Sequence, residues 1–361
     1  MATRLRILLP VALGAALLVS ACGRGRGGAP EKADGPLPPW VTTEQLMPLV
    51  VERRAVVFDS RARSDYAAGH ITGAWPLPLD ELAPPGGDLD GTAKEHVAAA
   101  LAATGFDPGA ELVVTDGGGP EGLRRAAAGC WLLALAGARR CTLLTGGTDA
   151  WRAAGGDLVI DEPTAPKEPA RIRIHTRPPA LASLDFVREA TARPEGAIVD
   201  VRGGAGGDGR PGDDAHGSGE VFSNSSVQHD GAIPGAIAWP LPQPALSGAA
   251  GAPFDATQLE RSAAAAGLFA EREIVVVGDG LEDGALGWFV LRYGLGVRDA
   301  KLFPGGVAAW RGHAPLPFAP TAAVEPHGAA ARGDPAARSR AVARIVRGRP
   351  GLARYGRSPK A

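Results

Sequence analysis

The chain has 361 residues, with 38 Lys and Arg against 39 Asp and Glu, for a formal net charge of −1. That balance gives no electrostatic footing for nucleic acid, and the length suits two domains of ordinary size. With only three cysteines, at spacings that fit neither a zinc-finger nor a Cys-x-x-Cys pattern, a cysteine-built metal site is excluded.

The N-terminus reads as a targeting segment, residues 1–22. Arg4 and Arg6 precede an apolar run from Ile7 to Val19 that is too short to span a bilayer comfortably. The run ends in Val19-Ser20-Ala21-Cys22, which resembles a bacterial lipobox. The resemblance implies a diacylglyceryl group on the Cys22 thiol, cleavage before Cys22, and membrane attachment through that lipid. The competing reading is an ordinary secretory signal that happens to end beside a cysteine. If the envelope is Gram-negative, Gly23, rather than Asp, after the cysteine points to its outer membrane, facing the periplasm. Residues 23–39, rich in Gly and Pro, read as a flexible tether.

From residue 40 onward the pattern occurs twice. A capping box, Thr42 with Gln45, opens a helix over 42–51, and Ser183 caps its counterpart over 184–192. The short apolar runs Ala55–Asp59 and Ala197–Asp200 each end in an acid. Ile71-Thr72-Gly73-Ala74 is matched by Ile233-Pro234-Gly235-Ala236. Val113-Val114 and Val275–Val277 lack polar alternation and predict strands covered on both faces. Thr142–Leu144 and Lys301–Phe303 run into Gly-Gly and a short helix containing Trp151 or Trp310. Strands alternating with helices predict an α/β fold: parallel sheets with helices on both faces and right-handed crossovers. The expected organisation is one domain over 40–160, a linker over 161–180 and a second domain over 181–318. The second copy carries an inserted loop at about 203–230, rich in Gly, Asp and Ser. A basic, disordered tail follows over 319–361, with Arg332, Arg338, Arg340, Arg344, Arg347, Arg349, Arg354 and Arg357.

These landmarks resemble the rhodanese family. Asp59-Ser60-Arg61 and Asp200-Val201-Arg202 resemble its Asp-x-Arg strand end. Tyr66-Ala67-Ala68-Gly69-His70-Ile71-Thr72-Gly73-Ala74 resembles its Tyr-x-x-Gly-His-Ile-x-Gly-Ala segment. The second copy keeps Gly231-Ala232-Ile233-Pro234-Gly235-Ala236, with alanine in place of histidine. Leu144–Trp151 and Phe303–Trp310 resemble its closing Leu-x-Gly-Gly-x-x-x-Trp. The resemblance implies a catalytic cysteine at the head of a loop after the central strand, its sulfur held by backbone N–H groups. That position falls on Asp116, before Gly117-Gly118-Gly119, and on Gly278 in the second copy. Neither can carry a persulfide, so no catalytic residue is expected in either loop; no cofactor-binding or metal-binding residue is assigned, the minor alternative being a cation held by the acidic loops.

The same loops hold Glu121, Asp279, Glu282 and Asp283, which would repel anionic sulfur donors by up to ~4 kcal/mol per contact. Asp116 is expected to cap the following helix with its own carboxylate. Cys130 and Cys141 read as buried, inert thiols or a disulfide, against the alternative of displaced sulfur carriers. His70 is expected to make a fold-supporting hydrogen bond, and Trp151 and Trp310 to pack in the core. His216 and His229 in the insertion fit no metal-ligand spacing. The sequence therefore points to a binding or scaffolding module of the cell envelope, with an unidentified protein or small molecule as ligand. The alternative is a thiosulfate-type sulfurtransferase acting through a non-standard cysteine or a partner.

Overall fold

The computed structural model describes residues 35–83, 91–168, 170–174, 179–193, 197–202, 231–241, 253–268, 273–313 and 316–318. The leader with Cys22, the insertion with His216 and His229, and the basic tail lie outside them. Among the described residues no helix is long and apolar enough to cross a membrane.

The first half of the fold runs β1 (Trp40–Val41), α1 (Thr43–Val51), β2 (Val56–Asp59), α2 (Arg63–Ala68), β3 (His70–Ile71), β4 (Trp75–Pro76), α3 (Leu79–Leu82), α4 (Gly91–Ala102), β5 (Leu112–Thr115), α5 (Gly119–Leu135), β6 (Thr142–Leu144), α6 (Gly147–Ala153) and β7 (Leu158–Val159). The second half runs α7 (Leu184–Ala190), β8 (Ala197–Asp200), β9 (Ile237–Ala238), α8 (Ala256–Ala265), β10 (Ile274–Val277), α9 (Leu281–Phe289), a π-helical turn over Val290–Gly294, β11 (Lys301–Phe303) and α10 (Gly306–Gly312). Helix ends follow local chemistry. Thr42 accepts from the Gln45 N–H while Gln45 reaches back to the Thr42 N–H, and the Ser183 hydroxyl accepts from the Phe186 N–H.

One sheet has the order β1-β6-β5-β2-β4 and the other β11-β10-β8-β9, with every neighbouring pair parallel. A parallel bridge from Leu181 to Leu302 stands beside β11 where β1 stands beside β6. The two sheets thus share one strand order. β3 and β7 form a separate antiparallel ribbon. The central strands β5 and β10 are buried at every position, as unbroken apolar runs in a two-sided sheet should be.

Period-two alternation divides the apolar side chains between faces. Val57, Val113 and Leu144 join a cluster with Leu46, Ile71 and Trp151 on one outer face. Ile198, Val275 and Val277 join another with Val187, Val307 and Trp310. The opposite faces (Phe58, Val114 and Leu143 from the first sheet, Val199, Val276 and Leu302 from the second) meet in one continuous core. That core includes Trp131 from α5 and Trp288 and Phe289 from α9. The stretch between the halves takes part in it: Ala180 is buried and accepts from Trp131 Nε1 at 3.0 Å, and Ile172, Ile174 and Leu181 pack against the core. Trp40 reaches from the first sheet to Phe254 and Phe289, with ring centroids 6.2 and 6.3 Å away.

Candidate functional site

Parallel strands deliver their loops to one edge, and in open α/β sheets ligands bind outside the carboxyl ends of the strands. Here that edge carries the Asp-x-Arg strand ends, the loop after β5 or β10, and the Gly-Gly turn before α6 or α10. The strand ends are built alike in the two halves. Arg61 grips Asp59 through Nε at 2.9 Å and Nη2 at 2.6 Å, and Nη2 also donates to the Gly69 carbonyl at 2.8 Å. Arg202 does the same to Asp200 at 2.9 and 2.7 Å, and to the Gly231 carbonyl at 2.9 Å. All four side chains are buried, so each pair is a two-pronged, charge-assisted anchor that fixes a loop to the strand end.

The loop after β5 turns on glycine. Gly118 has φ 145° and Gly119 φ 69°, left-handed territory that L side chains rarely enter. Gly147, at φ 61°, lies so close that a Cβ would stand 2.3 Å from the Asp116 carbonyl oxygen. The N–H groups of Thr148 and Asp149 donate to the Asp116 and Gly117 carbonyls at 2.7 and 2.8 Å. The second half repeats the contact: a Cβ on Gly306 would come within 2.6 Å of the Gly278 and Asp279 carbonyls, and the Val307 N–H donates to Gly278. The Gly-Gly pair thus serves as the seat on which the loop rests.

Asp116 fills its own cradle. Its side chain is 1% exposed, and both carboxylate oxygens have partners. Oδ1 accepts from the Gly117 N–H at 2.6 Å and from Arg125 Nη2 at 2.7 Å, while Oδ2 lies 2.8 Å from the Ser60 hydroxyl. Burial pushes this carboxyl above the usual carboxylate range, against the lowering by the Gly117 N–H, Ser60 and Arg125. The remaining cavity, lined by Asp116, Gly118, Gly119, Gly122, Leu123 and Gly147 among others, measures about 10 Å³, room for a single water. The expectation that Asp116 caps α5 is overturned. Gly118 is the N-cap and α5 has no side-chain cap, because the strand end aims Asp116 at Ser60, just past the end of β2, and at Arg125 nearly two turns into the helix.

Gly278 is more confined still. A Cβ there would lie 2.3 Å from the Gly284 nitrogen and 2.9 Å from the Asp283 Cβ. Asp279 keeps a 3.6 Å contact with Arg202, and Asp283 pairs with Arg124 of α5 at 3.0 Å, joining the two halves. Partial burial raises the Asp283 carboxyl against the pull of Arg124.

The other residues singled out in the sequence are placed as follows. Cys130 and Cys141 are joined in a disulfide, Cα atoms 5.7 Å apart, 0% and 2% exposed. Cys130 is eleven residues into α5, about 16 Å along the helix from the loop. His70 is buried, stacked on Tyr66 at 3.8 Å, its ring nitrogens facing the carbonyls of Tyr66 and Asp161 at 3.0 and 3.3 Å. Trp151 and Trp310 are buried, and each indole N–H ties down the chain that follows, at Asp157 and Pro317. The sequence reading missed Ser60 and Arg125. Ser60 was visible only through register, since Asp59 pairs with Thr115, and Arg125 only as the second of two adjacent arginines ahead of the apolar run of α5.

A parallel α/β sheet, with a glycine-turned loop seated on a Gly-Gly turn at its carboxyl edge, defines the class. Residues 42–154 match the family described as Rhodanese-like domain, and this chain carries a rhodanese-like domain over those residues. No curated protein matches the chain. Solved structures similar to it include the wild-type structure of EanB, 19% identical, covering 78% of this chain and 69% of that one with a TM-score of 0.59. The anaerobic ergothioneine biosynthesis enzyme from Chlorobium limicola, bound to its natural substrate trimethyl histidine, is likewise 19% identical, covering 78% and 70% with a TM-score of 0.60. An EanB structure carrying a cysteine persulfide with ergothioneine gives 19% identity, 78% and 70% cover, and a TM-score of 0.59. At this identity the likeness is one of fold.

Proposed function

We propose that this chain is a non-enzymatic binding or scaffolding module of the bacterial cell envelope, built of two rhodanese-like domains in tandem over 40–160 and 181–318. The common strand order of the two sheets supports the tandem reading, as do the repeated Asp–Arg anchors. So does a fold likeness extending over 78% of the chain, well beyond the 42–154 match. The observation that carries the loss of chemistry is the state of the two loop heads. Asp116 occupies the first with both oxygens committed, and backbone stands where any side chain at Gly278 would go. A sulfur carrier needs an exposed thiolate. Cys130 and Cys141 offer none while paired and buried, which weighs against the sulfurtransferase alternative.

The test is turnover. The full chain given thiosulfate and cyanide is expected to form thiocyanate no faster than the denatured protein; a rate comparable with active rhodaneses would end this reading. The anchor is tested separately. Radiolabelled palmitate should enter the wild-type chain but not Cys22→Ser, which should move to the soluble periplasmic fraction. Label in Cys22→Ser would refute lipidation at that residue.

A further inference from the structure

The Cys130–Cys141 pair has no part in the function proposed above, yet its placement constrains how the protein is made. Both sulfurs lie in the core shared by the two halves. The α5 segment from Ala126 to Leu135 is buried at every residue, and Leu143 closes the β6 side. Disulfides form by thiolate attack on another disulfide, so a third sulfur must reach one of the two cysteines before the other can close the bond. At 0% and 2% exposure neither sulfur can be approached in the folded protein. The two residues are only 11 apart in sequence, so the unfolded segment brings them together at small entropic cost.

We infer that Cys130 and Cys141 are the substrate of thiol–disulfide exchange with an oxidising dithiol–disulfide protein, and that the exchange takes place before α5 and β6 pack. One cysteine loses its proton and its thiolate attacks the partner's disulfide. A mixed disulfide forms, and the partner's other sulfur leaves as a thiolate. The second cysteine, deprotonated in turn, attacks the first cysteine's sulfur; the mixed bond breaks and the partner's remaining sulfur leaves. Two electrons pass to the partner, and the two protons given up here balance those its thiolates take up. The partner is thus defined by chemistry: an oxidant able to engage an extended, apolar Cys-Trp-Leu-Leu segment, of the kind found where disulfides persist.

The experiment uses the full chain, reduced and denatured, with glutathione disulfide as the probe oxidant. In one arm the oxidant is added to the unfolded chain; in the other the chain first refolds under reducing conditions. Alkylation and mass analysis follow bond formation. The second arm is expected to close at least about 100-fold more slowly, because exchange must wait for local opening. A chain that cannot refold while reduced supports the same order, since the bond then precedes the fold by necessity. Equal rates in the two arms, with circular dichroism showing the reduced chain folded in the second, overturn it. In an exporting host, Cys130→Ala should leave Cys141 trapped in a mixed disulfide with the host's thiol oxidase, seen on a non-reducing gel. Absence of any such species removes the protein partner from the proposal. The refolding arms do not depend on Cys22 or on envelope location, so their failure is separable from failure of the anchor.

Discussion

Asp116 concentrates the conflict at the residue scale. A carboxylate in a nearly closed space loses hydration, and three donors return only part of it, so its carboxyl sits above the ordinary range. The folded state therefore holds the proton more tightly than the unfolded chain. The stability from this group is greatest below about pH 4 and falls as pH rises through the folded pKa. Asp116→Asn keeps the shape and removes the titration. The unfolding free energy of wild type relative to Asp116→Asn should decline with rising pH, by at most about 1.4 kcal/mol per unit, in urea titrations from about pH 4 to about pH 7. A relative stability that grows with pH would mean that Arg125 and Ser60 outweigh burial. The second loop differs in kind. Gly278→Cys forces a Cβ against the Gly284 nitrogen and should destabilise by about 1–3 kcal/mol in denaturant unfolding, a contact that Asp116→Cys avoids because residue 116 already carries a Cβ.

At the scale of the element, the glycine turns separate two costs. Gly155 has φ 79° with open space around it, whereas Gly147 has φ 61° and abuts the Asp116 carbonyl. Gly155→Ala should cost roughly 1–2 kcal/mol, the backbone penalty alone. Gly147→Ala should cost roughly 2–5 kcal/mol, because the overlap with the loop is added. Thermal unfolding of the two variants reads the difference, and equal shifts would deny that α6 seats the β5–α5 loop.

For the whole molecule, the decisive feature is the core shared by α5, α9 and both sheets. Because apolar surface from each half is buried against the other, calorimetry should show one cooperative transition over the folded region; two resolved peaks would show that the halves fold separately. Replacing both Cys130 and Cys141 with Ala should lower stability by roughly 3 kcal/mol, the value for so short a closed loop, without splitting that transition.

What the sequence determined by itself was whatever is local or periodic. The Thr42 and Ser183 caps, the unbroken valine strands, the Asp–Arg strand ends and the Gly-Gly turns depend on neighbours a few residues away, and their spacing is their signal. The absence of cysteine at positions 116 and 278 was equally plain. Tertiary structure alone decided how the Asp116 charge is met, that a side chain at Gly278 meets backbone, that Cys130 and Cys141 pair, and that the stretch leading to Ala180 is packed. Each of these depends on distances between segments far apart in the chain, set by strand register and helix packing. Such distances leave no periodic trace in the order of residues.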